Sequence, residues 1–216
     1  MSPAATMTIG DAGRAVLDAA DRLFYERGIG GVGMSEIRDV SGVSLRRLYA
    51  LHPSKRDLVA AWLTDRHERW MAWFSAAVEG HSATGVDPVL AIFDALSDWV
   101  ASPGYRGCAF INAIAESAEI DDAHRQIVAD HKRSLIDHLA AVAAGNHPSA
   151  VGWLPDALGV LVDGAIVQSA VLGSDQPIIT ARFAAERLLE TADEPHRRRA
   201  VEVPGQDPRR RSTRRR

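Results

Sequence analysis

The chain has 216 residues, 46% of them hydrophobic, enough to bury a core in a small domain and in a larger one, which excludes a disordered polypeptide. Its single cysteine, Cys108, excludes an internal disulfide framework and a cysteine metal cage. The net charge of −3 is uneven: residues 1–58 carry 8 basic and 7 acidic groups, residues 59–195 carry 8 and 19, and residues 196–216 carry 9 and 2, which excludes the acidic body as a polyanion surface. Contact with nucleic acid therefore falls on the first segment or on the tail.

The first ten residues hold Ser, Pro, Ala and Thr without periodicity and predict a mobile arm, 1–10. They lack the basic-then-apolar pattern of a secretory signal. Next, AVLDAADRLFYER predicts an amphipathic helix with Leu17, Ala20, Leu23 and Phe24 on one face. The loop Gly28-Ile29-Gly30-Gly31-Val32-Gly33 matches a dinucleotide fingerprint in letters only, because that motif needs a strand before it and this one follows a helix.

From Met34 to Leu58 the pattern predicts two short helices joined by a tight turn. The first spans Ser35 to Ser41, with Ser35 as its cap and Ile37 and Val40 on a shared apolar face. Gly42 supplies the turn and Val43 plugs the angle. Ser44 caps a second helix, Leu45 to Leu51, which turns Leu45, Leu48 and Leu51 inward and leaves Arg46, Arg47 and Tyr49 for a partner. Pro53 closes it and Ser54 caps the next. Two guanidiniums on a short exposed helix suit a major groove, where arginine can bond both acceptors of a guanine edge. Alone they fit a solvated turn equally well. The preceding amphipathic helix could cover the back of the pair, and the three together predict a DNA-binding unit.

The chain here resembles the TetR family of one-component transcriptional regulators. The resemblance runs through Leu17-x-x-Ala20-x-x-Leu23-Phe24-x-x-x-Gly28, then Ile37, then Ser41-Gly42-Val43-Ser44, then Leu48-Tyr49-x-x-x-Pro53-Ser54-Lys55-x-x-Leu58. It implies that Tyr49 and Lys55 meet phosphates, that the helix from Ser44 to Tyr49 reads bases, and that the remaining chain senses a ligand and dimerises. Four positions depart from the pattern. Arg38 stands where the family carries a small apolar residue, Arg46 and Arg47 replace a small pair, and His52 fills a slot usually aromatic and buried.

A long helix follows, from Ser54 to about Glu79, with Leu58, Trp62, His67, Trp70, Trp73 and Phe74 at helical spacing. It is the expected transmission rod. Its aromatics suit core packing, with one or two at a cavity. After a loop at 80–85, Asp87-Pro88 starts a helix to about Val100 with Val89, Ile92, Phe93, Leu96 and Trp99 inward, and Ser102-Pro103-Gly104 breaks it. The segment Arg106-Gly107-Cys108 through Glu116 is similar to a stretch found in one branch of TetR-like sensor domains. Asn112 and Glu116, four apart on its apolar helix, need partners, either a ligand or a neighbouring helix. Cys108 reads as a small buried hydrophobe. His124, His131 and His138 lie seven apart on the helix from Asp121 to about Ala144; steps of roughly 10.5 Å are too long to share one ion, so they edge a packed seam.

The last two helices, Pro155 to Leu172 and Pro177 to Thr191, are apolar on more than one face, one for the body and one for a second chain. The most apolar run, Leu158 to Leu172, is broken by Asp163 and Gln168 and is short for a bilayer. Residues 193–216, rich in arginine, predict either a phosphate-binding arm or a solvated tail.

The expectation is an all-α, cytoplasmic, ligand-responsive regulator without catalytic residues, metal, cofactor or membrane partner. It has a DNA-binding domain at 11–58 and a sensing and dimerising domain at 59–192. Its expected partners are duplex operator DNA, a small-molecule effector and a second copy of itself through the last two long helices. Ser35, Ser44, Arg46, Arg47, Tyr49 and Lys55 are the candidate DNA contacts; Trp62, Trp70, Phe74, Phe93, Phe110, Asn112 and Glu116 are the candidate ligand contacts. A transcriptional activator, or a protein-interaction module using the same helix pair, remains the alternative.

Overall fold

A threonine three residues ahead of an aspartate starts the first helix. Thr8 Oγ1 accepts the Asp11 amide at 3.1 Å while the Asp11 carboxylate accepts the Thr8 amide at 3.2 Å, a reciprocal cap that opens α1 (Ile9–Arg27). Ile9 and Gly10 are thus helical, which corrects the expected arm. Residues 8–116, 120–150 and 152–192 are described by this computed structural model, so the rest of that arm, 1–7, and the arginine-rich tail lie outside them.

Among the described residues there are nine α-helices and no strand, the all-α architecture that the periodicity predicts. After α1 come α2 (Met34–Ser41), α3 (Leu45–Leu51), α4 (Lys55–Ser82), α5 (Pro88–Ala101), α6 (Ala109–Glu116), α7 (Asp122–Asn146), α8 (Leu154–Leu172) and α9 (Gln176–Ala192), with a single 3₁₀ turn at Pro148–Ala150. Caps set the boundaries. Ser44 accepts the Arg47 amide, Ser54 the Asp57 amide and Asp87 the Val89 amide. The cap of α2 is Gly33, not Ser35, because Glu36 reaches back to the Gly33 amide at 3.1 Å and leaves Ser35 exposed inside the first turn.

α4 is the spine, 28 residues without a break. It runs past Glu79 into the expected loop because its C-terminal turn closes only at Ala83, whose amide bonds the Glu79 carbonyl at 2.9 Å. One end packs against α1; further along it packs against α5 and α7. α8 lies between α7 and α9, and α5 backs on α9. Buried apolar side chains run through both ends of the molecule as one cluster, from Ile37 and Leu48 through Leu58 and Leu63 to Phe93, Leu139 and Leu158.

α8 starts at Leu154, four residues before the apolar run read from the sequence. Its 19 residues, with mean hydropathy 1.4, make it the one helix among those described that is long and apolar enough to cross a membrane, contrary to the expectation of a run too short. Here it packs as a core helix, with Leu154, Leu158 and Val162 fully buried.

Candidate nucleic-acid interface and effector cleft

The sharp angle between α2 and α3 follows from one residue. Gly42 sits at φ 68°, a left-handed backbone that side chains resist, and its amide bonds the Arg38 carbonyl at 2.9 Å. Val43, 3% exposed, fills the corner. Ser41 Oγ stiffens the turn by accepting the Val43 amide at 3.3 Å. With Leu48 fully buried on one side of α3, Arg46 and Tyr49 are exposed on the others and Arg47 is half-buried. Val40 does not share the inward face of Ile37. It is 39% exposed, because a helix of two turns gives α1 only one line of contact. Arg38 turns its head out to Asp39, with Nε to Oδ1 at 2.8 Å, so the slot its position implied is left to its methylenes.

Three sets of contacts tie α1 to the rest. Arg14 makes a two-pronged bond to Asp65 of α4 at 2.5 and 3.0 Å. Asp21 accepts from Trp62 Nε1 at 2.7 Å, from Arg66 at 2.5 Å and from Arg69 at 3.1 Å. Burial alone would raise the Asp21 carboxyl, but the Arg66 charge, the bonds from Trp62 and Arg66 and the Arg69 charge outweigh it and hold the group below its ordinary value. The third set involves α6 and the turn before it. Tyr25 donates to the Gly107 carbonyl and accepts the Arg106 amide, both at 2.8 Å, with the Arg66 guanidinium 3.9 Å above its ring. At the other end of α6, Glu116 accepts the Ile29 amide at 2.5 Å. A β-carbon on Gly28, itself at φ 81°, would stand 2.9 Å from both Glu116 carboxylate oxygens, so only glycine fits there.

The N-terminal end of α6 borders an internal cavity of about 10 Å³, room for about one water, lined among others by Trp70, Phe110, His131, Lys132 and Leu135. Trp70, Trp99 and Arg66 also line an open cleft of about 370 Å³ together with Arg69, Trp73, Asp98 and Ser102. Trp70, Trp73 and Trp99 stand within 5.6 to 6.3 Å of one another, an aromatic enclosure between α4 and α5. The indole N–H of Trp70 is buried and has no acceptor. Lys132 reaches Asp163 at 2.5 Å and lies 3.8 Å from Cys108 Sγ.

The sequence model of bacterial regulatory proteins of the tetR family matches residues 16–62, the span that contains this turn and its supporting helix. A TetR-family transcriptional regulator from Streptomyces coelicolor superposes with a TM-score of 0.74, covering 87% of this chain and 92% of that one at 28% identity. Residues 16–62 carry the DNA-binding module of the TetR family. NemR of Escherichia coli in its reduced form, at 19% identity over 82% of this chain and 97% of its own, has a TM-score of 0.72. The multidrug-binding protein EbrR, crystallised with malachite green, has 0.61 at 20% identity over 82% and 96%. These two share the fold. No curated protein matches the chain in sequence.

The residues expected at DNA are carried by α2, α3 and the starts of α3 and α4: Ser35, Ser44, Arg46 and Tyr49 are exposed, and Arg47 and Lys55 are half-buried. The residues expected at a ligand separate. Trp70 and Phe110 line the cavity. Trp62 instead packs on Phe24 at 5.3 Å and is bonded to Asp21; Phe74 stacks against Trp70 at 4.8 Å with no exposure, and Phe93 is fully buried core. Asn112 bonds the Arg106 carbonyl at 3.0 Å and Glu116 holds Ile29, so both find the protein partners that their polarity required. Arg66 and Arg69 at the cleft, and Lys132 and His131 at the cavity, were not expected. For the arginines a signal exists: residues 66, 69, 70 and 73 follow helical spacing and share a face.

The three histidines of α7 do edge a seam. His124 lies between Asp121 and the Arg56 carbonyl, His138 packs against Phe74 at 5.6 Å, and His131 stacks on Phe110 at 3.6 Å with its Nδ1 3.0 Å from His67 Nδ1. Burial, with the Lys132 charge and His67 beside it, pushes His131 down to about 3 from an ordinary 6.5. The unfolded chain therefore takes up this proton first, and stability is lost as pH falls below 6.5 toward 3. Between pH 7 and 5 the loss expected from this residue is about 2 kcal/mol. Urea midpoints at the two values measure it, and His131→Phe, which keeps the stack, should flatten the difference.

Proposed function

We propose that the chain is a dimeric, ligand-responsive repressor. Residues 11–58 form the DNA-binding domain and residues 59–192 the sensing and dimerising domain. Each monomer presents α3 to a major groove, with half-sites about 34 to 36 Å apart, or slightly more. The observation that carries this reading is the double duty of α6, which borders the cavity through Phe110 and holds the α1–α2 loop through Glu116. A molecule entering the cleft favours an arrangement of α6 and α4 in which the two α3 helices no longer match both grooves. A coupling of about 1 to 3 kcal/mol changes operator affinity about 5- to 150-fold. EbrR, which carries malachite green within the same fold, supports a small organic effector.

The second copy is assigned to the outer face of α8 and α9. Val160, Val167 and Val171 form a stripe on α8 that is 74%, 40% and 79% exposed, and Ile179 and Phe183 on α9 are 48% and 59% exposed. Gly164 lies on the same stripe, and a β-carbon there would meet nothing within 4 Å, leaving room for close approach.

The test is a palindromic element beside the chain's own gene, titrated with purified protein. Arg46→Ala is expected to lose about 1 to 3 kcal/mol of discrimination against a changed base pair. Tyr49→Phe and Lys55→Ala weaken every duplex alike, with Lys55→Ala lowering the salt slope by about 1. If all three variants bound like the parent, the assignment of α3 to the groove would be lost. A reporter fused to the element distinguishes repression from activation.

A further inference from the structure

We propose that the cleft between α4 and α5 takes a flat aromatic molecule that carries an anionic, hydrogen-bond-accepting group. This rests on reading the cleft as the effector site and adds the ligand's chemistry. At about 370 Å³ it falls within the range of pockets that hold small organic ligands. Its walls are the indoles of Trp70, Trp73 and Trp99, which offer ring faces and edges to a planar partner.

The polar lining is one-sided. Arg66 and Arg69 line the cleft and Lys132 lines the cavity behind it, whereas their carboxylate partners Asp21, Asp65 and Asp163 line neither. The one carboxylate in the lining, Asp98, is 68% exposed at the rim and already bonded to His81 at 2.9 Å. Trp70 lines both spaces, and its buried indole N–H lacks an acceptor. A group buried with an unmade bond calls for the complementary atom, here an oxygen with free lone pairs. Beyond the rim every charged group is thus a cation and Ser102 spends its proton on the Trp99 carbonyl, so a carboxylate or phenolate attached to a ring complements the lining.

Two probes with one ring and opposite charge test this: 2-naphthoate and 2-naphthylmethylammonium, titrated by calorimetry into the full chain without DNA. Naphthoate is expected to bind about tenfold more tightly, as charge-assisted bonds from arginine favour the anion. Trp70→Phe keeps an aromatic ring, though a smaller one, removes the N–H and should weaken naphthoate about fivefold. Arg69→Gln, at a side chain 45% exposed, should bring the two affinities together. Equal affinities in the parent, or tighter binding of the ammonium, overturn the charge assignment and leave the cleft standing as an effector site. If neither probe binds at millimolar concentration, the cleft is not a site for aromatic molecules and the effector reading falls with it. Naphthoate binding unaffected by Trp70→Phe and Arg69→Gln places the anion elsewhere and overturns the proposal.

Discussion

Val160→Glu combined with Val171→Glu is expected to give a folded monomer whose operator affinity is lower by about 10²-fold or more. Both valines are more than 70% exposed, so neither carboxylate disturbs the core, and helical content should match the parent. In the proposed dimer the same positions are expected to meet across a two-fold axis. There the substitutions place four like charges on an apolar stripe and remove its burial, about 1.5 kcal/mol or more for each valine side chain. A protein held to one half-site loses the second groove and the effective concentration that came with it. Light scattering at micromolar concentration reads the first effect and fluorescence anisotropy with the palindromic element reads the second. A variant still dimeric in the first assay would move the interface away from α8.

Asp21→Ala is expected to destabilise the fold by about 2 to 3 kcal/mol, since it strands three donors together. Trp62 Nε1 and the Arg66 guanidinium, only 14% exposed, lose their acceptor, and Arg69 loses one of two. Asp21→Asn keeps an acceptor oxygen and should recover part of the loss; urea melts of the three proteins give the order. The parent's dependence on acid separates this group from His131. The lowered Asp21 carboxyl contributes stability that is present above the ordinary carboxylate value and is lost as pH falls through its folded one. His131 acts earlier, beginning at 6.5. A melt series should therefore show a histidine decline first and a carboxylate decline at lower pH.

Caps and turns made most of the fold legible. Ser44, Ser54 and Asp87 are short polar residues directly before apolar periodicity, and each accepts an amide in the first turn of the helix it opens. Gly42 and Gly104 break the chain where expected, both at positive φ. Thr8 and Asp11 carry the same local signal, yet the small polar residues around them masked it. The exposed face of α3 was readable because it is local: seven residues with one buried leucine dictate what remains outside.

The cleft was only half readable. Helical spacing says which aromatics share a face of α4, but the partner that removes Trp62 from the cleft, Asp21, is 41 residues away in sequence. Lys132 and Asp163, or His67 and His131, meet only after α7 has packed. Asn112 found its acceptor six residues back in a turn whose path periodicity does not encode.

The unbroken α4 also behaves as a lever. Its 28 residues extend about 42 Å, and a tilt of roughly 5° about one end carries the other some 3.5 Å, close to the rise of one base pair. Because Asp21 and Asp65 clamp α1 to its N-terminal half, the helices before it swing with the shaft. In the proposed regulator a displacement of roughly 1.6 Å at Trp70, about 18 Å from the far end, becomes a whole step of register along the duplex.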